Sequence, residues 1–387
     1  MEKPFAVEVV GYLSAAVGVG EAARRYVDAL RTVGVEVRER DVSLPGRDDA
    51  GVELLRGPSP SPDSISFNLV CLNPEQMVPY LNGGEGPRRD KRQTVGIWSW
   101  EVDLLPPGWC EAAAGLDDIW TYSSFSAGLI ESEIGVPVQG IPPPVCVSPV
   151  TSTSPVDLPQ GFRVLVMFDF LSTLERKNPL GAIEAFKRAF QPEDDAALIV
   201  KSINGRHRPE RQVEIRVASE GRPDIVLLDQ TMSGAERDAL IAACDCCLSL
   251  HRSEGHGLPL AEAMLIGRPV VATAYGGNTE FMSESNSYLV AWNPAHVGDG
   301  VEHYPSEASW AEPDIEHAAS LLRAVRDDPQ DAARRAARGQ ADVLATLAPE
   351  AVGGRMRARF ERLESRNAST NAEHLVRRLV RRRCVRR

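Results

Sequence analysis

The sequence predicts an α/β protein of two Rossmann-like parallel-sheet domains, and three observations carry that prediction. Its 387 residues exceed what one ordinary hydrophobic core holds. Short apolar, β-rich runs alternate with helical patterns along the chain, the rhythm of βα units on parallel sheets. Residues 147–160, VSPVTSTSPVDLPQ, interrupt that rhythm with a run of Pro, Ser and Thr and mark the best boundary. The expected organisation is an N-terminal domain at 1–155, a C-terminal domain at 156–348, a helix at 349–366 packing back on the first domain, and a basic tail at 367–387.

In the first domain the predicted strands are Phe5–Gly11, Glu36–Asp41, Ile65–Leu72, Thr94–Ser99 and Asp118–Tyr122. Between the first two lies a helix, Glu21–Val33, with Ala22, Tyr26, Leu30 and Val33 on one face. Ser123 or Ser124 is the expected N-cap of the helix after the fifth strand. The second domain repeats the pattern, with strands at Arg163–Phe168, Ala197–Ser202, Ile225–Leu228, Cys246–Leu250 and Pro269–Thr273 and a helix at Ser233–Ala243. Residues 314–366 read as mainly helical, ending in a helix near Pro349–Leu363.

Composition narrows the function. The hydrophobic fraction of 43% and charged fraction of 25% are those of a soluble globular protein. Seven cysteines, an odd number with no zinc-site spacing, suit a reducing cytosol better than a disulfide framework. Neither a secretory signal nor an apolar run approaching the ~20 residues of a membrane span is present, so a cytoplasmic location is expected. The net charge of −11 argues against nucleic-acid binding by the body of the protein. The tail is the exception: Leu375–Arg387 holds seven arginines and no acid, with Leu375, Val376, Leu379, Val380 and Cys384 at helical spacing. It reads either as a solubilising disordered terminus or as a peripheral contact with the inner membrane face.

The chemistry concentrates in Leu250-His-Arg-Ser-Glu254-Gly-His-Gly-Leu-Pro-Leu-Ala-Glu262-Ala-Met264. A strand ends at Leu250, a glycine-flexed loop follows, and Pro259 stands where a helix begins and no amide hydrogen bond is lost. Gly255 and Gly257 leave backbone amides open beside that helix N-terminus, an anion-attracting arrangement suited to a diphosphate. Glu254 in the loop and Glu262 in the first turns can reach different parts of one extended ligand. As carboxylate acceptors they suit vicinal hydroxyls, one pair on a sugar and one on a ribose.

These residues, with Gly267-Arg-Pro-Val-Val-Ala-Thr and Gly276-Gly-Asn-Thr-Glu280 after them, resemble the family 4 glycosyltransferases of the GT-B fold. Their motif is two glutamates separated by seven residues, usually within E-G-F-G-L-P-x-x-E-A-M. The resemblance implies two Rossmann-like domains facing a central cleft and a nucleotide-diphosphate sugar donor, UDP- or GDP-linked. It also implies sugar transfer with retention to a glycan, lipid-linked or small-molecule acceptor. It assigns Glu254 to the donor sugar and Glu262 to the ribose hydroxyls, with Gly255, His256, Gly257 and Leu258 between them. His256 stands where the family has Phe and either donates near the sugar or packs.

Phe168-Asp-Phe-Leu-Ser-Thr-Leu-Glu-Arg176-Lys177-Asn178-Pro resembles the family's first loop of the C-terminal domain, where an Arg and a Lys clamp the diphosphate. Fixed cations there stabilise the charge that develops as the leaving group departs. Lys177 matches the family lysine; the family arginine is absent, with Asp169 or Phe170 near its place, so Arg176 or Lys201 substitutes. Val226-Leu-Leu-Asp229-Gln230 ends a strand where α/β sheets bind ligands and where the resemblance places the base; loop capping is the alternative for Asp229.

In the first domain, Gly18-Val-Gly20 lacks the third glycine of a dinucleotide fingerprint, which disfavours a nicotinamide cofactor. The resemblance gives this loop the donor phosphate; a structural turn is the alternative. No histidine precedes His207, although many relatives carry one near the reacting sugar. Gly96-Ile-Trp98-Ser-Trp100-Glu101 is the corresponding segment: Glu101 is the candidate to accept a proton or hydrogen bond from a hydroxyl, and the tryptophans either stack a sugar or fill the core. No metal and no cofactor are expected. The competing readings are a nucleotide-sugar epimerase-like enzyme and a non-catalytic nucleotide-sugar binder.

Overall fold

A computed structural model of the chain describes residues 5–15, 17–42, 59–83, 92–149 and 154–384, with side chains described as far as Arg366. The first domain runs β1 (Ala6–Gly11), α1 (Gly18–Thr32), β2 (Glu36–Asp41), β3 (Ile65–Cys71), α2 (Pro74–Asn82), β4 (Gln93–Trp98), α3 (Trp109–Ala113), β5 (Asp118–Thr121), α4 (Ser124–Glu131) and β6 (Val138–Gly140). Its six strands form one parallel sheet in the order β2-β1-β3-β4-β5-β6. The order doubles back at β1 and β3, and in such sheets the crevice at the strand C-termini beside the reversal holds ligands.

The second domain runs β7 (Phe162–Asp169), α5 (Leu174–Lys177), α6 (Pro179–Ala189), β8 (Ala196–Ile203), α7 (Pro209–Ala218), β9 (Ile225–Asp229), α8 (Gly234–Ala243), β10 (Cys246–Ser249), α9 (Leu258–Leu265), β11 (Val270–Thr273) and β12 (Tyr288–Val290). Its parallel sheet has the order β12-β11-β10-β7-β8-β9. An antiparallel hairpin, β13 (Trp292–His296) with β14 (Ser309–Pro313), comes next, then α10 (Ile315–Asp327), α11 (Pro329–Leu347) and α12 (Pro349–Cys384).

Local sequence explains most boundaries. Ser123 caps α4, its Oγ accepting from Ser126 N at 3.1 Å. Ser233 and Glu236 form a reciprocal capping box at α8. Proline occupies the first turn of α2, α6, α7, α9 and α11, where a missing N–H loses nothing. Strands β8, β10 and β11 of the second domain are buried almost throughout because helices cover both faces of the sheet there.

The two domains do not end where the linker falls. Helix α12 lies along α1, burying Val352, Met356, Phe360 and Leu363 against Phe5, Phe67 and Trp120 of the first domain. Arg359 fixes it by a bidentate pair with the fully buried Asp118 (2.6 and 2.7 Å), which also accepts from Trp120 Nε1 at 2.7 Å. α12 continues to Cys384, beyond the Leu363 expected from sequence. The arginine-rich tail, with both of its readings, lies outside the described side chains.

The β13–β14 hairpin has no counterpart in the expected elements. It carries Val297, Ala308 and Trp310 across to the first domain, where they join Trp98, Trp100, Val102 and Trp109 in one core cluster. Ser309 N donates to Asp103 Oδ1 at 2.7 Å. The hairpin is thus a strap from the second domain onto the first.

Candidate active site

β10 delivers the chain to the boundary between the domains, and the loop it feeds is locked from beneath. His251 is fully buried, its ring nitrogens on Ser249 Oγ and the Tyr275 carbonyl, each at 2.9 Å. Burial holds it down at about 4, so it is a neutral structural bridge at physiological pH. Gly277 N donates to the Glu254 carbonyl at 2.8 Å, pinning the loop to the glycine pair that follows β11. Gly257 then takes φ +90°, a left-handed conformation costly for other residues, and α9 starts at Leu258 with Pro259 in its first turn.

Glu254 projects from this loop into a cluster of cations. Lys177 Nζ, at the end of the single-turn α5, donates to Glu254 Oε2 at 2.5 Å. Arg176 Nη1 lies 3.7 Å from the same oxygen and donates to the Ser253 carbonyl at 3.1 Å. Burial alone would push the Glu254 carboxyl up, but Lys177 and then Arg176 hold it at about 2. The chain breaks sharply after Lys177 because Asn178 adopts φ +48° and caps α6, its Oδ1 accepting from Gly181 N at 3.0 Å. That break keeps Arg176 and Lys177 facing the loop.

The first domain completes the cluster. Glu101 Oε1 is 3.9 Å from Arg176 Nη1, and Glu101 Oε2 accepts from Tyr304 Oη at 2.9 Å. Ser253 Oγ donates to the Glu101 carbonyl, and Ser123 Oγ to the Gly255 carbonyl at 2.6 Å. Glu280 accepts from the amides of Ser124 and Phe125, so an acid of one domain caps α4 of the other. Trp98 and Trp100 are buried against Trp109, with Tyr304 on Trp100; they fill the core and are not available to stack a sugar.

Glu262 sits in α9, 2% exposed, paired with Arg25 of α1 and with Arg237 at 3.1 Å. Burial pushes its carboxyl above the usual range, with Arg237 and Arg25 pulling it back. On Arg25 burial acts downward, but Glu262 and Glu21 raise it, and that direction describes the pair: a charged guanidinium on an ionised carboxylate. Arg25 also donates to Glu21 and to the Pro144 carbonyl, so it is held on three sides.

His256 is buried with no hydrogen-bond partner on either ring nitrogen among the described residues and with Phe281 beside it, ring centroids 5.3 Å apart. Burial lowers it to about 3, and the fields of Glu254 and Arg25 both reach it. Lys201 is buried at the end of β8 and lowered by burial and by Arg237. Asp229 is occupied structurally: its carboxylate accepts from Ser202 Oγ (3.0 Å), Gly205 N (3.3 Å) and Gln212 Nε2 (2.8 Å), as a loop-capping residue would. Gly18 is exposed at the start of α1.

Gly20 is buried against the Tyr12 and Ala15 carbonyls, and an added Cβ would lie 2.9 Å from the Ala15 oxygen and nearer still to that of Tyr12. Gly20→Ala therefore forces the first turn of α1 to shift. Its expected loss of stability is about 1–3 kcal/mol, read as a lowered thermal midpoint.

The structure thus brings Glu101, Arg176, Lys177, Glu254, Gly255, His256, Gly257, Leu258 and Glu262 to one inter-domain boundary. Arg25, Arg237, Ser123 and Tyr304 belong there too and were not anticipated. Only Arg25 carried a signal, two helical turns past the glycine loop. Among the described residues no group of three or more His, Cys, Asp and Glu could hold a metal ion. No helix among them is long and apolar enough to cross a membrane.

Two Rossmann-like domains closed on a boundary of this kind define the GT-B fold. Within it, residues 163–304 match the family model described as Glycosyl transferases group 1. Three solved structures illustrate the likeness. HepE of Anabaena, solved with UDP-glucose, is 16% identical with a TM-score of 0.64 over 92% of this chain and 99% of its own. Sucrose-phosphate synthase of Thermosynechococcus elongatus is 14% identical, with a TM-score of 0.65 over 93% and 99%. TarM of S. aureus is 14% identical with a TM-score of 0.53; the match covers 74% of this chain and only 53% of TarM. No curated protein matches the sequence.

Proposed function

We propose that the chain is a retaining glycosyltransferase that moves a sugar from a nucleotide-diphosphate donor to an acceptor hydroxyl, without a metal. The observation that carries this reading is the Glu254 carboxylate held between Lys177 and Arg176 in the loop before α9. There a donor sugar can meet an acceptor of hydroxyl hydrogen bonds. Its diphosphate can meet two fixed cations and the open amides of a helix start. Glu262 takes the ribose, and Gly18 and Gly20 bound the phosphate from the other domain. HepE, solved with UDP-glucose, supports a uridine nucleotide as the first to test.

In this mechanism the acceptor hydroxyl attacks the anomeric carbon from the face that the diphosphate leaves. Its proton passes to the departing phosphate oxygen, so no protein nucleophile is needed. Lys177 and Arg176 neutralise the charge that grows on the leaving group. Glu101, facing Arg176 from the first domain, orients the acceptor hydroxyl.

The test is a thermal-shift panel of UDP, GDP, ADP and their sugars. A matched nucleotide at a hundred times its Kd adds about 2.7 kcal/mol of stability, a rise of about 3 °C for a chain of this size. The same nucleotide sugar should be hydrolysed slowly or transferred. No shift and no turnover with any of them would reject the reading.

A further inference from the structure

The first domain holds a cavity of about 240 Å³ apart from the charged cluster. Its walls come from strand ends and loops on the ligand side of the sheet: Tyr12 after β1, Leu72 after β3, Ile97 of β4 and Tyr122 after β5. Val17 and Val19, at the start of α1, close one side. Among the described residues, none of those lining the cavity is charged.

The few polar groups are sorted by their hydrogen bonds. Asn73 is committed to the Ser99 backbone, accepting from its N–H at 2.8 Å and donating to its carbonyl at 3.1 Å. The Tyr12 and Tyr122 hydroxyls and the Gln76 amide have no side-chain partner among the described residues. The cavity adjoins the candidate active site: Tyr122 is followed by Ser123, which bonds Gly255, and the strand of Ile97 leads to Glu101. The Glu101 charge reaches the Tyr122 phenol, which burial, first, pushes up.

We propose that this cavity receives the acceptor, and that the acceptor is an uncharged, mainly apolar ring compound bearing a hydroxyl. The inference rests on the transferase reading and adds the acceptor class to it. A charged acceptor would lose part of its water here with no counterion among the described lining residues, at a cost of about several kcal/mol. A free sugar or oligosaccharide would bury more hydroxyls than three polar side chains can satisfy. A phenol or hydroxylated ring system places its apolar face against Val17, Val19, Leu72 and Ile97. Its single hydroxyl then points past Tyr122 toward Glu101 and the donor.

The experiment uses the full chain and three probes: 2-naphthol, cellobiose and glycerol 3-phosphate. Binding is measured by calorimetry without donor, and each is then offered as acceptor with the nucleotide sugar that gives the largest thermal shift. The expected result is saturable binding and glycosylation of 2-naphthol, with at least tenfold weaker response to the other two.

Two variants locate the site. Val17→Asp sets a carboxylate in the wall while occupying the N-cap of α1, a position that favours Asp, so folding is preserved. Gln76→Trp, on the exposed side of α2, fills the mouth. Each should weaken 2-naphthol at least tenfold. Equal or better binding of cellobiose or glycerol 3-phosphate, or naphthol binding unchanged in both variants, overturns the proposal. A nucleotide shift without naphthol binding sinks the acceptor class and leaves the transferase reading standing. Naphthol binding with no nucleotide response sinks the transferase reading instead.

Discussion

Glu254→Ala is expected to lower sugar transfer at least a hundredfold, measured on the fraction of the variant that a melting curve shows to be folded. In the proposed reaction the carboxylate interacts with the reacting sugar, and removing one preorganised electrostatic partner from such a site costs about 10²–10³ in rate. Glu254→Gln separates charge from shape. It keeps a hydrogen-bond acceptor at the loop but leaves Lys177 and Arg176 without their counterion, so transfer falls in both variants.

Acidity gives an independent check on the same residue. The Glu254 carboxyl is held at about 2, below its ordinary value near 4.3 in an unfolded chain. A depressed carboxyl contributes stability that is fully present above the unfolded value and is lost as pH falls through the folded one. Its contribution, at most about 3 kcal/mol, therefore disappears between roughly pH 4 and pH 2. Acid unfolding of the native chain should be steeper across that window than that of Glu254→Gln, and the two curves should converge below it. Parallel curves would mean that Lys177 does not hold this carboxylate in solution. Between pH 5 and 8 Glu254 stays ionised, so any pH dependence of transfer there belongs to other groups.

Arg25→Ala has the second large effect, and its two readouts move in opposite directions. Arg25 is 4% exposed and bridges the domains by pairing with Glu262, which is equally buried. Breaking a buried pair from one side leaves an uncompensated charge, typically a loss of about 3–5 kcal/mol. Arg237 at 3.1 Å remains as a partial counterion, which places the expected loss near the lower figure. If Glu262 receives the ribose, nucleotide and guanidinium compete for one carboxylate. The variant then loses less stability when loaded than when empty, and its nucleotide Kd falls. Melting curves with and without nucleotide measure both terms. A lowered midpoint with an unchanged Kd would show that the nucleotide leaves the Arg25–Glu262 pair intact.

Particular residues show how far the chain is readable from local rules. Strand β2 occupies Glu36–Asp41, the bounds expected from the βα rhythm, and the Ser123 cap forms because a serine before a helix needs only the next three residues to do so. The glycine-flexed loop and Pro259 place a helix start beyond Glu254 for equally local reasons. The β13–β14 hairpin escaped because Pro294 and scattered polar residues blur a two-residue period, and its apolar side is satisfied only by Trp98, Trp100 and Trp109 far earlier in the chain. Tyr304 escaped with it, since nothing near position 304 announces a partner at Glu101.

From sequence alone came the α/β class, the two-domain rhythm and the loop that carries Glu254 and Glu262, because capping, periodicity and glycine conformation act over a few residues. Tertiary structure alone decided which charges stand opposite those glutamates. Lys177 reaches Glu254 across 77 positions and Arg25 reaches Glu262 across 237. A buried charge takes its meaning from the counterion that replaces its water, and that partner is chosen when the domains pack.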